Sequence, residues 1–208
     1  MKELTLDIFL KKTASDEAVP GGGSVSALCG ALSTALSEMV SKLTASNGKY
    51  EDVSDEMKSL GAEAEVLRNV LTEDIKKDSE AFAAVMQAYA MPKSSEEEKA
   101  SRKNEIQRAY KMAADVPLTV ARDCCKALEI ARVMASKGNE NARTDGLVAA
   151  MCARTGGLGA LYNVWINLEA IKDEEYVNKM RKEVYSLGEK IIMSERKILS
   201  GYSLKFEL

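Results

Sequence analysis

No histidine occurs among the 208 residues, which removes imidazole bases, histidine-built catalytic triads, His-ligated zinc and haem with a proximal histidine together. Acid–base chemistry is left to carboxylate, amine, thiol or phenol. Three prolines and 13 glycines are few for a loop-rich or all-β chain, and aromatic residues make up only 5%. There is no basic excess either. The 29 Lys and Arg are interleaved with 32 Asp and Glu, net charge −3, which leaves no electrostatic footprint for nucleic acid. No uncharged apolar run approaches the ~20 residues of a membrane span, and Met1-Lys2-Glu3-Leu4-Thr5 lacks the charged-then-apolar pattern of a signal peptide. A cytoplasmic protein without nucleic-acid or membrane partners is expected. The four cysteines (Cys29, Cys124, Cys125, Cys152) show no C-x-x-C spacing, and Cys29 and Cys124 fall on apolar helical stripes. They read as reduced core thiols, not as a disulfide framework or a metal site.

What is present is helix-forming. With 46% hydrophobic residues and Ala, Leu, Met, Glu and Lys prominent, the chain suits one domain, residues 1–208, with a proper core. Strand-period segments are missing, so the expected fold is all-α, an antiparallel bundle of about six helices. The first helix is expected near residues 4–14, with Leu6, Phe9 and Leu10 on one face. Pro20-Gly21-Gly22-Gly23-Ser24 is a turn, with Ser24 as N-cap of a second helix ending near Asn47-Gly48. That helix has an apolar stripe (Val25, Leu28, Cys29, Leu32, Leu36, Met39, Val40, Leu43) opposite a small-residue stripe (Ser26, Gly30, Ser33, Ser37, Ser41, Thr44). No charge falls between Glu17 and Glu38, so its first half is expected to be buried on all sides.

The third helix, from Asp52 or Ser54 to Ala90, would span on the order of 55 Å against a radius of gyration of roughly 17 Å for a compact domain of this size. Part of it should project or pack on another subunit, so the long helices are expected to form an oligomerisation hairpin. The fourth helix has a capped start in Lys93-Ser94-Ser95-Glu96-Glu97-Glu98, bends at Pro117 and ends at Lys137-Gly138-Asn139. A Gly/Ala-rich fifth helix covers about 144–171, with a break near Gly156, and a sixth runs from Asp173 to Ser200.

Several residues contradict their surroundings. Asp78 interrupts the apolar stripe Met57, Leu60, Ala64, Leu67, Leu71, Phe82, Val85, Tyr89. A carboxyl there is either a structural ion pair, a point where the groove opens to water, or an acid whose pKa is raised toward the range useful for proton transfer. The glycine-rich turn feeding a helix N-terminus is either an anion-accepting edge or a flexible cap. The run from Gly138 through Asn139, Thr144 and Asp145 to Gly146 gathers polar groups at another helix start, as any cap can. Asn163 and Asn167 put two amides on one helical face, as core hydrogen bonders or ligand contacts.

Pro20-Gly-Gly-Gly-Ser24, Asp78-Ser-Glu-Ala-Phe82, Met91-Pro92-Lys93, Val116-Pro117-Leu118, Gly138-Asn139 with Thr144-Asp145, and Asn163-Val-Trp-Ile-Asn167-Leu168 together resemble the formiminotransferase-cyclodeaminase C-terminal family, in order and over almost the whole chain. The resemblance implies a helical folate enzyme, a homodimer or larger assembly, with its site in a cleft near the glycine-rich turn. Family members either hydrolyse methenyltetrahydrofolate to the formyl derivative or close formiminotetrahydrofolate with loss of ammonia, with no metal and no cofactor beyond the folate substrate. By the same resemblance Asp78 is the general acid/base. Gly22, Gly23 and Ser24 line the folate pocket, Asn139 and Asp145 contact the ligand or orient the acid, and Asn163 bonds the pterin or a neighbouring turn. Phe82 packs either on the aromatic part of folate or in the core. Thr144 stands where the family usually has serine and keeps the hydroxyl. With no formiminotransferase segment in this sequence, cyclohydrolase is the first expectation and cyclodeaminase the second. A non-catalytic folate-binding or structural oligomer is the alternative of another class.

Overall fold

The computed structural model describes residues 5–202. Residues 1–4 and 203–208 lie outside it, and with them most of the segment read for a leader and the expected first residue of the first helix. The described chain is all-α: α1 (Leu6–Thr13), α2 (Gly22–Ala45), α3 (Ser54–Ala90), α4 (Glu96–Lys137), α5 (Arg143–Leu168) and α6 (Glu174–Ser200), with short 3₁₀ turns at Gly48–Val53 and Glu140–Ala142. Among the described residues no helix is long and apolar enough to cross a membrane.

The boundaries follow local chemistry. Ser95 and Glu98 form a reciprocal capping box at the start of α4, and Asp173 caps α6 by accepting from Tyr176 N–H. The expected N-cap Ser24 is instead the third residue inside α2. Gly21 is the cap and offers no side chain, which leaves the Ser24 hydroxyl available for another partner.

Helices α2 to α5 form an antiparallel four-helix bundle, and α6 packs against α4 and α5. Backbone proximity, not bulk, holds α2 between α3 and α5. A Cβ on Gly156 would stand 2.6 Å from the Ser26 carbonyl oxygen and 2.9 Å from Gly30 N, and one on Gly30 would stand 2.9 Å from Cys124 Sγ. No break occurs near Gly156; α5 is continuous, because the missing side chain serves a close crossing. The small-residue face of α2 is therefore the buried one. Ser33, Thr34 and Ser37 are sealed from solvent, whereas Leu32, Met39 and Leu43 are 49%, 39% and 45% exposed. The expectation that the first half of α2 is buried all round fails for the same reason: larger side chains could not fit where the backbones meet.

Helix α4 passes through Pro117 without interruption. Proline removes the N–H that would bond the carbonyl four residues earlier, and Asn167 Nδ2 from α5 donates to that carbonyl, Ala113 O, at 3.0 Å. The extra length of α3 is used within the chain. Beyond the start of α2, α3 and α4 continue side by side over Ala81, Val85, Ala88, Ala109 and Ala113. A hairpin end therefore overhangs where α2 has not yet begun.

Candidate active site

That overhang creates a cavity. Because α2 starts at Gly22, the lane it occupies between α3 and α5 is vacant on the other side of its N-terminus. The resulting trough of about 570 Å³ has Asp78, Phe82, Met86 and Tyr89 of α3 along one wall and Asn163, Ile166 and Glu169 toward the end of α5 along the other. Tyr110 and Ala113 of α4 floor it, and Gly21, Gly22 and Gly23 close its blind end. The first N–H groups of α2 point out of that end with the positive pole of the helix.

Asp78 sits at the blind end. Ser24 Oγ donates to its Oδ2 at 2.8 Å, and the Ser24 backbone N–H also bonds the carboxyl. Burial pushes the Asp78 pKa above the ordinary carboxylate range, and the two Ser24 donors oppose that rise without cancelling it. Ser24 Oγ also lies 3.3 Å from Ile75 O and 3.4 Å from Ser79 Oγ. The glycine before Ser24 has one strict reason to be there: a Cβ on Gly23 would stand 2.0 Å from Asp78 Oδ1. No glycine among the described residues has positive φ, so the Gly21-Gly22-Gly23 run provides close approach, not turn freedom. A Cβ on Gly22 would press on Asn163 Nδ2 at 3.3 Å.

Of the residues singled out by sequence, Gly22, Gly23, Asp78, Phe82 and Asn163 line the trough, and Ser24 holds the acid. Phe82, 39% exposed, is wall and not core. Asn163 Nδ2 donates to Gly159 O of its own helix at 2.8 Å. Asn139 and Asp145 are not brought to this place in one chain. Asn139 N–H donates to Thr44 Oγ1 at 2.8 Å, and Asp145 lies in the first turn of α5. Thr44 is twenty residues along α2 from Ser24, about 30 Å by helical rise. Asn139 there caps the turn before α5, accepting from Asn141 N–H.

Sequence reasoning missed Asp74, one turn before Asp78 on the same stripe. It is 1% exposed, Oδ1 accepts from Lys77 at 2.6 Å, and Oδ2 is buried with no hydrogen-bond partner. Burial first, and the charge of Asp123 with it, raise its pKa against the pull of Lys77. Asp123, 5% exposed, takes Lys126 at 2.7 Å. Asp74 was legible: it lies seven residues after Leu67 and three after Leu71, on the period that exposed Asp78. Tyr110 and Glu169 carried no such signal, since only the packing of α4 and α5 brings them to the trough.

The sequence profile of the formiminotransferase-cyclodeaminase family matches residues 5–186. The methenyltetrahydrofolate cyclohydrolase of Methylorubrum extorquens is 40% identical over 183 residues, 88% of this chain and 88% of that protein. The formimidoyltransferase-cyclodeaminase of Rattus norvegicus is 32% identical over 185 residues, 89% of this chain; the chain covers 34% of that longer protein. Among solved structures, the formiminotetrahydrofolate cyclodeaminase of Thermotoga maritima aligns with TM-score 0.85 and 35% identity over 96% of this chain and 98% of its own. The chain belongs to the formiminotransferase-cyclodeaminase family.

Proposed function

From that membership and from the acid at the trough's blind end, we propose that residues 1–208 act as one catalytic domain, a methenyltetrahydrofolate cyclohydrolase. The substrate is 5,10-methenyltetrahydrofolate, a cation whose charge is shared over N5, the methenyl carbon and N10. The carboxylate form of Asp78 attracts that cation and takes a proton from water as the water oxygen bonds to the methenyl carbon. The first N–H groups of α2, at the same end of the trough, are donors for the carbonyl oxygen of the formyl product. The C–N5 bond then breaks with its electron pair going to N5, Asp78 returns its proton to N5, and the hydroxyl proton leaves to solvent. The product is 10-formyltetrahydrofolate. Every step is a proton transfer, an addition or an elimination, so the proposed reaction uses no metal and no cofactor beyond the folate.

The observation that carries this reading is the Ser24–Asp78 contact at 2.8 Å at the end of the trough. The 40% identity to a cyclohydrolase over 88% of both chains favours hydrolysis. The 35% identity to the formiminotetrahydrofolate cyclodeaminase of Thermotoga maritima supports a second reading of the same site. There N10 attacks the formimino carbon, the proton that N10 loses passes to the formimino nitrogen, and Asp78 gives that nitrogen a second proton so that it leaves as ammonia while the methenyl cation forms. Decay of the near-ultraviolet absorbance of methenyltetrahydrofolate tests the first reading, and ammonia release from formiminotetrahydrofolate tests the second. Neither activity in the purified protein would leave only the non-catalytic alternative.

The assembly we propose is a homodimer or larger, in the cytoplasm, where four free thiols suit the reducing environment. Supporting it are Leu32, Met39 and Leu43 on α2 and Val148 and Met151 on α5, large apolar side chains at the surface of one chain. Sedimentation at micromolar concentration decides this; a monomer overturns it.

A further inference from the structure

Two charged side chains stand near the open end of the trough, one in its lining and one behind a lining residue. Glu169 is on the α5 wall. On the α3 side stands Arg102, which comes from α4 and touches a lining residue: its Nε and Nη2 donate to Tyr89 O at 3.2 and 3.0 Å, and its guanidinium carbon is 5.5 Å from the centroid of the Tyr89 ring. That carbonyl is among the last four of α3 and has no partner within its own helix. Two donors and a stacked ring therefore fix the guanidinium, while Nη1 makes no bond among the described residues. The acids within a turn of Arg102 are already engaged. Glu98 closes the capping box, and Glu105 takes Arg108.

From Asp78 to Tyr89 is eleven residues, about 16 Å along α3. In a folate, the reactive carbon and the glutamate carboxylates are separated by an aromatic ring and an amide, roughly 11 Å by ordinary bond lengths. A contact of about 3 Å at each end brings the total to the length of the trough. Between the two ends the α3 wall offers Phe82, Met86 and Tyr89 at helical spacing, with the Tyr110 ring edge-on to Tyr89 at 6.3 Å. This is a surface for a flat apolar ring.

We infer that Arg102 is the carboxylate-binding end of the trough: with the reactive carbon at Asp78, the aminobenzoyl ring lies along Phe82, Met86 and Tyr89, and the glutamate carboxylate bonds the free edge of the guanidinium. The negative charge of Glu169 keeps the same carboxylate off the opposite wall. Arg102 is thus a specificity residue for the tail, set apart from the reacting atoms. The inference rests on the folate reading above.

The test separates the two. Binding of 5-formyltetrahydrofolate and of the N-methylamide of 5-formyltetrahydropteroate, which lacks the glutamate and carries no carboxylate, is measured by titration calorimetry on the wild type, Arg102→Gln and Arg102→Lys. The wild type is expected to bind the glutamate form about tenfold more tightly. Arg102→Gln binds both ligands alike at the weaker value, and Arg102→Lys, with charge but without the paired geometry, falls between. Added salt narrows the wild-type preference. A preference kept in Arg102→Gln, or an equal loss for both ligands, overturns the assignment and leaves Arg102 as a clip on the end of α3. Should Arg102→Gln fail to fold, the wild-type pair of affinities and Arg102→Lys still decide. A wild type that binds both ligands equally overturns this inference alone; one that binds neither overturns the folate reading as well.

Discussion

Asp74 and Asp78 stand one helical turn apart on the same stripe of α3, both with pKa raised first by burial, yet their surroundings give them different work. Asp74 is sealed between α3 and α4 with a lysine on one oxygen and nothing on the other. Asp78 meets two donors from Ser24 and opens onto the trough. Desolvation alone therefore does not set apart the acid that we propose to be catalytic. What distinguishes Asp78 is that α2 begins beside it. The N-terminus of α2 supplies the donors and leaves the adjoining lane empty for a substrate, while the same α3 face one turn earlier is covered.

The comparison can be broken experimentally. The largest effect is expected from Asp78→Asn, which keeps the shape and removes the titrating group. Its rate on methenyltetrahydrofolate should fall by about 10²–10⁴ with an unchanged circular dichroism spectrum, and an unaltered rate would refute the proposed role. Next comes Gly23→Ala. The new methyl would overlap Asp78 Oδ1, so the carboxyl must leave Ser24 or α2 must shift. About 1–3 kcal/mol of stability and roughly 10²-fold in rate should be lost, measured by denaturant midpoint and by turnover.

Ser24→Ala is gentler. Both Ser24 donors favour the charged carboxylate, and removing the hydroxyl lets burial act with less opposition. The Asp78 midpoint in the pH–rate profile should move to higher pH, with about a tenfold loss in rate. A midpoint that moves down would contradict the assigned direction. The smallest effect on activity belongs to Asp74→Asn, whose rate should equal that of the wild type. Its signature lies in stability. The native pKa of Asp74 lies above the unfolded value, so its protonated form favours folding fully below the unfolded pKa, and that contribution is lost as pH rises through the native one. Melting temperatures from acidic pH to pH 8 should therefore show the variant gaining on the wild type as pH rises. An unchanging difference would mean that Asp74 is already charged at acidic pH.

Much of the fold was readable in the order of residues. The starts of α3, α4 and α6 and the end of α3 lie where capping residues, first-turn acids and Met91-Pro92 predict them. Asp78 is visible as a charged side chain in an oily register, and the same register also contains Asp74. The faces of α2 were divided at the right period, but the buried side was the reverse of what hydrophobicity suggests. Asn139 and Asp145 shared a segment with polar character yet lie at the far end of α2, since a motif in sequence carries no information about which end of a 24-residue helix it meets.

The amino-acid order alone determined the helices, most of their ends and, among the acids out of keeping with their stripe, Asp78, because capping, propensity and periodicity act over a few residues. Whether that acid is solvated, paired or poised over a cavity was decided only by how the helices pack. Gly30 and Gly156 let α2 lie close between its neighbours, α3 and α5 run on beyond its first turn, and the space beside Asp78 is what remains. Such a space is a difference between lengths of distant segments, and no local pattern encodes it.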